Sequence, residues 1–475
     1  MTSNKPPEHM RLWDAVSLIV GIVVGTAIFA MPPQIFGLVG TWQGMACWVA
    51  GGVFALVGAL CYAELAVNYP GSGGDYIYLT RAYGRGTGFL FGWIHLLVIL
   101  PCNIGAMAYI FALYGRNFLQ QTPIGETSEE IGAVLAAAAT VVLTAINLLG
   151  VAAGKWTQNG LTLLKVVGLA AVAAAGFGYG GDVPLTPAKP IESPGWGLAM
   201  VFVMYTYGGW NDSAFVASEV RDRKRDIPRA LLLGVGGIMA LYLVLNAAYL
   251  WGLGYEGLTA SQAPAADVLQ KAWGPKAAAM MSVLVMLSAL GAMNGLIFTG
   301  SRLYVGLGAD HALFAKLGAW SGRRRAPIAA LVSQCLLTLA LIAAVGSKTG
   351  RDAIDAVFSP IFGNGLPWEQ YYGGFDTLVA ASAPLFWLFF ALTCGALLLL
   401  RIREGLPAKH FAAPFFPLEP LVFGGVCLYM LYSAISYAQL MALLGLAPLL
   451  LGVALYAGFS RRPLDASRSE QENQG

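Results

Sequence analysis

Two stretches of this chain put glycine and polar residues where the flanking sequence is almost wholly apolar. The first reads Gly21-Ile22-Val23-Val24-Gly25-Thr26-Ala27-Ile28-Phe29-Ala30-Met31-Pro32-Pro33. The second reads Phe202-Val203-Met204-Tyr205-Thr206-Tyr207-Gly208-Gly209-Trp210-Asn211-Asp212-Ser213. Glycine weakens a helix interior by roughly 0.5–1 kcal/mol relative to alanine, so both are places where a helix can unwind. Unwinding frees N–H groups at the start of one half-helix and carbonyls at the end of another. The N–H groups attract a carboxylate, and the carbonyls attract an ammonium. An amino acid carries both. Gly25, Thr26 and Ala27 are therefore candidate carboxylate donors, through their amides and the Thr26 hydroxyl. Carbonyls around Tyr207 and Gly208, and near Val23, are candidate ammonium acceptors. Either glycine cluster taken alone also fits a close helix crossing.

A few charged residues fall inside or beside apolar runs. Lys165 lies about ten residues into one of them, roughly 15 Å along a helix. An ionisable group at that depth is a functional hypothesis by default, and Lys165 is read as a coupling residue, either a fixed charge or a proton carrier. The plain alternative is a snorkelling or structurally paired lysine. Glu64 is expected to hydrogen-bond structurally and His95 to pack. Asp212 is expected to cap the helix that resumes after the second break. Glu219, with a basic partner, is a candidate gate.

The elements that position these residues follow from composition. Of 475 residues, 57% are apolar and 11% charged, against about 45–50% and about 25% in a soluble chain. The solvent is therefore lipid. About 20 apolar residues span the hydrocarbon, and the runs place spans at 13–36, 41–69, 86–115, 130–150, 156–178, 195–218, 229–253, 277–306, 327–346, 376–400, 418–438 and 440–459. With twelve spans both termini share one side. Of the 28 Lys and Arg, 21 fall on that side and 6 on the other, which makes it cytoplasmic. The first apolar run is too long for a signal peptide and lacks a small-residue cleavage site. The loop 347–375 is expected to fold over the pore mouth. All six cysteines lie in apolar runs, with no metal-ligand spacing and no cofactor motif. The four His residues, 9, 95, 311 and 410, share no helix face, which argues against a metalloenzyme. A channel would show a repeated filter or rings of charge. The two breaks fall in spans one and six, and interrupted helices at matching positions of two halves point to a transporter site.

At this point the chain resembles the amino acid–polyamine–organocation (APC) superfamily, and within it the L-type amino acid transporter group. Gly25-Thr26-Ala27-Ile28-Phe29 resembles the family's first-helix break. Tyr62-Ala63-Glu64-Leu65 with Tyr69-Pro70-Gly71-Ser72-Gly73-Gly74-Asp75-Tyr76 resembles its second-helix and loop signature. Tyr207-Gly208-Gly209-Trp210-Asn211, Ser218-Glu219-Val220 and Ile227-Pro228-Arg229-Ala230 resemble the sixth-helix signature. Asn294-Gly295-Leu296-Ile297-Phe298-Thr299-Gly300-Ser301-Arg302 resembles the end of the eighth. The likeness covers about residues 10 to 460.

The resemblance implies an all-α LeuT-type membrane fold. Its parts are a tail 1–12, a five-helix repeat 13–178, an inverted repeat 195–400, peripheral helices in 418–459 and a tail 460–475. It implies alternating-access transport of amino acids across the plasma (inner) membrane, with proton symport or exchange as the mode. Gly25, Thr26 and Ala27 would hold the substrate carboxylate, Tyr205 would be an aromatic gate, and Asn211 a position tuning gating and substrate choice. Lys165 would stand where sodium-driven relatives hold a cation. Ala27 replaces the family's usual glycine, and Ser218 a common glutamate. Spans 3, 8 and 10 would complete the pocket, with Ser288 and Asn294 as polar members and Tyr205 and Trp210 as bulk. No acidic residue is clearly placed to meet a cationic side chain, so neutral amino acids are expected over arginine or polyamines. An amino acid sensor is the remaining rival. Animal members pair with a glycoprotein through a cysteine after helix 3; the loop 116–129 here has none, so no disulfide-linked subunit is expected.

Overall fold

The computed structural model describes residues 10–120, 129–181, 183–187, 191, 194–274, 276–322, 325–362, 365–368, 373–405 and 411–459. Among these residues the chain is helical, with isolated bridges only at Met10–Val220 and Ser321–Ala326. It enters on α1 (Leu12–Val23), breaks, and resumes as α2 (Ala27–Ala30) and α3 (Pro32–Val39). A long α4 (Thr41–Asn68) turns into α5 (Asp75–Tyr83). Then α6 (Arg85–Ile94) runs through a wider turn, His95–Ile99, into α7 (Leu100–Gln120). Next come α8 (Glu129–Leu148) and α9 (Val151–Gly178). The second broken segment is α10 (Trp196–Thr206) followed by a 3-10 stretch, Trp210–Glu219. The rest is α11 (Arg223–Ala260), α12 (Pro264–Trp273), α13 (Ala277–Asp310), α14 (Ile328–Gly346), α15 (Lys348–Phe362), α16 (Gly373–Glu404), α17 (Leu418–Ala438) and α18 (Leu443–Phe459).

Among the described residues, nine helices are long and apolar enough to cross a membrane. One of them is the continuous stretch Leu418–Gly458, which Gln439, at φ 46°, divides between α17 and α18. The broken segments fall outside the nine because α1 has 12 residues and α10 has 11.

Several boundaries differ from the sequence expectation. The helix expected at 156–178 begins at Val151, directly after Gly150 at φ 132°. The helix expected at 229–253 begins at Arg223 and carries Pro228 inside it, at its sixth position. The wide turn at His95–Ile99 precedes Pro101, and the Leu100 N–H reaches back to the His95 carbonyl. Proline cannot donate in a regular ladder, and a π-turn absorbs the mismatch. The loop 347–375 holds α15, whose Asp355 accepts from the Leu366 N–H and the Trp368 indole N–H, each at 2.9 Å; residues 363–364 and 369–372 lie outside the described residues.

Small residues let the helices touch. A side chain on Gly176 would meet the Ala248 carbonyl at 2.5 Å, so α9 and α11 meet backbone to backbone. The broken α1 is packed among α9, α11 and α13, and α10 rests on α3 and α4. Both breaks are thus enclosed by protein, which lets unpaired backbone persist in an apolar medium.

Candidate substrate site

The first break is built from a turn at Val24. Its φ of −72° and ψ of 72°, with a 2.7 Å bond from the Gly25 N–H to the Val23 carbonyl, make an inverse γ-turn. The turn ends the helix at Val23. Among the described residues, the N–H groups of Thr26, Ala27 and Ile28 donate to no carbonyl. They stand at the start of α2, where partial positive charge accumulates. The carbonyls of the same break are partly satisfied. Ser288 of α13 donates to the Val24 and Gly25 carbonyls at 2.9 and 3.1 Å. The Tyr242 hydroxyl of α11 sits 3.1 Å from the Val23 carbonyl and 3.3 Å from the Thr206 carbonyl, bridging the two breaks.

The second break ends α10 at Thr206 and turns through Gly209 at φ 106°. The carbonyls of Tyr207 and Gly208 accept no hydrogen bond from a described residue. A side chain at Gly209 would meet Ile22 Cγ2 at 2.9 Å, so the two breaks abut. At Gly25 the nearest neighbours of an added Cβ are 3.8 and 3.9 Å away; there the missing side chain keeps room for a ligand rather than for protein.

Between the breaks lies a cavity that water-sized atoms can fill to about 150 Å³. Val23, Gly25, Thr26, Ala27, Tyr205 and Gly208 all border it. So do Asn103 and Met107 of α7, Ala292 and Leu296 of α13, and Val379, Ser382, Phe386 and Trp387 of α16. These side chains of α7, α13 and α16 escape sequence reasoning, which reaches only the spans that supply them. The bulk comes from Tyr205, Phe386 and Trp387. Trp210, expected to contribute it, instead packs on Tyr62, Phe390 and Phe423 with centroids 5.2–5.8 Å apart. The Tyr207 ring turns away, its hydroxyl on the Trp48 carbonyl at 3.1 Å. Asn294 lies behind the wall, bonded to Asn147, Gly154 and Gln158.

Asn211 is buried outside the lining and donates its amide to Asp212 Oδ1 at 3.1 Å. Asp212 itself borders the cavity. Gly209 occupies the capping position without a side-chain bond, so the expected cap by Asp212 is not formed. The sequence places no acidic residue clearly at the pocket; the structure puts Asp212 on the cavity wall. A 3-10 stretch turns 120° per residue rather than 100°, which shifts every side chain past Gly209 relative to an α-helical projection.

Lys165 is fully buried, and its Nζ donates to the Gly21 carbonyl at 2.8 Å. It therefore holds the last turn of α1 before the break. Farther along α1 toward the N-terminus, Glu219 pairs with Arg302, Nε to Oε1 at 2.7 Å, with both side chains almost wholly buried. The Arg302 guanidinium also lies 3.8 Å from the Phe298 ring centroid. Met10 joins the same point, its N–H on the Glu219 carbonyl and its carbonyl accepting from the Arg221 N–H, both at 3.1 Å. Asp14 accepts from Lys155 and Asn159. That end of α1 is closed. Glu64 is held by Arg401 through two 2.8 Å bonds and by the Ala413 N–H, and His95 by the Phe91 carbonyl. Arg81 pairs with Glu404, Nε to Oε1 at 2.8 Å. Among the described residues, no cluster of His, Cys, Asp or Glu could hold a metal ion.

Two helices broken at the midpoint of apolar segments, meeting at a cavity between them, define a membrane transporter. The chain belongs to the amino acid permease family, whose profile matches residues 10–451. It is 30% identical over 461 residues to the large neutral amino acids transporter small subunit 2 of Mus musculus, covering 94% of this chain and 80% of that one. It is 30% identical over 337 residues to the b(0,+)-type amino acid transporter 1 of Homo sapiens, covering 68% of each. With the Asc-type amino acid transporter 1 of Mus musculus it shares 31% over 352 residues, 71% of this chain and 65% of that one. The chain is a multi-pass amino acid transporter, not an enzyme.

Ser288→Ala is expected to leave the buried Val24 carbonyl and the part-buried Gly25 carbonyl without a donor, at about 1–3 kcal/mol. A lower thermal midpoint in detergent and weaker amino acid binding would register it. An unchanged midpoint and affinity would mean that water replaces the hydroxyl.

Proposed function

We propose that this chain carries neutral L-amino acids across the plasma (inner) membrane by alternating access. The arrangement proposed is twelve spans in a LeuT-type fold: repeats at 13–178 and 195–400, then two peripheral helices in 418–459. The observation that carries this reading is the pair of unbonded amides at Thr26 and Ala27, residues that border one cavity together with Gly208. A zwitterion satisfies both ends at once. Thr26 and Ala27 take the carboxylate with Gly25, the carbonyls near Val23, Tyr207 and Gly208 take the ammonium, and Tyr205 covers the site. Asn211 acts through the carboxylate it bonds. Glu219 with Arg302 is the gate on the side of the termini. The bias of 21 of 28 basic residues to that side supports cytoplasmic termini; residues 1–9 and 460–475 lie outside the described residues. We propose transport without a disulfide-linked subunit, since the loop 116–129 has no cysteine; residues 121–128 of that loop lie outside the described residues.

The test is uptake of labelled neutral amino acids into proteoliposomes. One set is empty inside with an inward proton gradient, and the other is preloaded with unlabelled amino acid and no gradient. Accumulation in the first makes the protein a proton symporter; uptake only in the second makes it an exchanger. Binding with uptake in neither would make it a sensor. In the symport case Lys165→Ala is expected to abolish accumulation driven by pH. A Lys165→Ala protein that still concentrates substrate in a pH gradient excludes the lysine as proton carrier.

A further inference from the structure

A second cavity lies away from the helix breaks, where the ends of α4 and α16 meet α5. Water-sized atoms can fill about 190 Å³ of it, and Glu64, Asn68, Tyr69, Arg81, Arg401 and Glu404 border it. Two guanidinium–carboxylate pairs supply its charge. Arg401 and Glu64 form the inner pair, with side chains 9% and 3% exposed. Arg81 and Glu404 form the outer pair, at 55% and 37%. Each guanidinium donates through Nε and Nη2 to its carboxylate, and Arg401 Nη2 also reaches the Ala413 carbonyl. Nη1 of both arginines takes no acceptor among the described residues. Aromatic rings back the two planes, Tyr69 at 4.8 Å from Arg81 and Phe416 at 4.3 Å from Arg401. Residues 406–410, which follow the lining residue Gly405, lie outside the described residues.

Charge decides what such a cavity accepts. Two guanidinium groups and two carboxylates sum to zero. A bare anion drawn to the Nη1 edges would stand beside Glu64 and Glu404, and a bare cation beside Arg81 and Arg401. A ligand that carries both charges meets both without leaving either unpaired. Position decides the rest. The cavity lies at the ends of two helices long and apolar enough to cross a membrane, Thr41–Asn68 and Gly374–Glu404, and so at the depth of lipid headgroups. Phe415 and Leu418, on either side of Phe416 and Pro417, are 68% and 60% exposed, which puts apolar surface beside the charged rim. We propose that this cavity binds the headgroup of a phospholipid that joins a phosphate to a primary ammonium, phosphatidylethanolamine, with the phosphate on Arg81 and Arg401 and the ammonium on Glu404. Guanidinium matches phosphate oxygens in pairs, and the acyl chains lie over Phe415 and Leu418. Phosphatidylcholine has the same charges, but its quaternary ammonium has no N–H to donate to Glu404. Phosphatidylglycerol lacks the cation. The inference goes beyond the transport reading and requires only that the chain cross a bilayer.

Competition among lipids tests this. Full-length protein in detergent, given equal amounts of the dioleoyl ethanolamine, choline and glycerol phospholipids, is read by native mass spectrometry for the lipid it retains. The ethanolamine lipid is expected to be retained over the choline lipid by at least about tenfold, the worth of one hydrogen bond to a charged group. Glu404→Gln is expected to remove that preference, and Arg81→Ala to lower retention of both zwitterionic lipids by at least about tenfold. Exposed ion pairs contribute little to stability, so thermal midpoints near wild type are expected for both variants, and either one that folds carries its own arm of the test. Arg225→Ala removes an exposed cation outside the cavity and is expected to change neither reading. Equal retention of the ethanolamine and choline lipids by wild-type protein overturns the proposal. A preference for the glycerol lipid also overturns it, by making the cavity an anion site. So does a loss in Arg225→Ala equal to that in Arg81→Ala, which assigns the effect to general surface charge. Soluble phosphoethanolamine that displaces the lipid at equal concentration overturns the lipid as the source and assigns the cavity to a free phosphate ester. The amino acid site stands or falls separately, by the uptake experiment above.

Discussion

Arg302→Met is expected to cost about 3–5 kcal/mol of stability, because it strands the Glu219 carboxylate in the protein interior. The side chains of the pair are 2% and 0% exposed, and Arg302 is the side chain that bonds the Glu219 carboxylate, through Nε at 2.7 Å and a second nitrogen at 3.3 Å. Desolvation makes the lone charge expensive, whereas replacing both partners by apolar residues of similar volume is often neutral. The double variant Glu219→Leu, Arg302→Met is therefore expected to recover most of the loss. Thermal unfolding of the three proteins in one detergent measures this. If Arg302→Met unfolds with the wild-type midpoint, the pair is not desolvated and its role as a closure is lost. The transport consequence comes from position. Met10 is bonded to the backbone on either side of Val220, so any motion that opens this end of α1 must part the N-terminal segment from the Glu219–Arg302 pair.

Gly209→Ala is the second large effect, expected to reduce amino acid uptake by about tenfold or more while the protein remains folded. Two costs add. At φ 106° an L side chain is disfavoured by roughly 1–2 kcal/mol. The new Cβ would also lie 2.9 Å from Ile22 Cγ2, and overpacking of this kind costs about 1–3 kcal/mol. Relief requires the two breaks to separate, which moves the Gly208 carbonyl away from the Thr26 and Ala27 amides. Ile22→Ala in the same chain removes the clash but not the backbone strain, so partial rescue is expected. Gly237→Ala is the control, since a side chain there meets nothing within 4 Å and should be neutral or stabilising by up to about 1 kcal/mol. Wild-type uptake rates in Gly209→Ala would refute the close apposition of the breaks.

What the sequence determines by itself is whatever depends on local chain chemistry. The apolar runs require lipid and helices, since backbone must pair with itself there. Glycine at 25, 208 and 209 marks where helices stop, because a flexible residue lowers the cost of unwinding wherever it stands. The ordered motifs place the chain among amino acid permeases for the same reason: each is a short contiguous stretch. The tertiary structure alone decides what meets across the breaks. Ser288 clips carbonyls 263 and 264 positions away in the chain. Arg302, known from the sequence only as the end of the eighth-helix motif, is the partner of Glu219, 83 positions off. The exchange of roles between Trp210 and Asp212 turns on the tighter winding of the stretch after Gly209. An α-helical projection accumulates an error of about 20° per residue there, about 60° by Asp212, which shifts the carboxylate relative to the cavity wall.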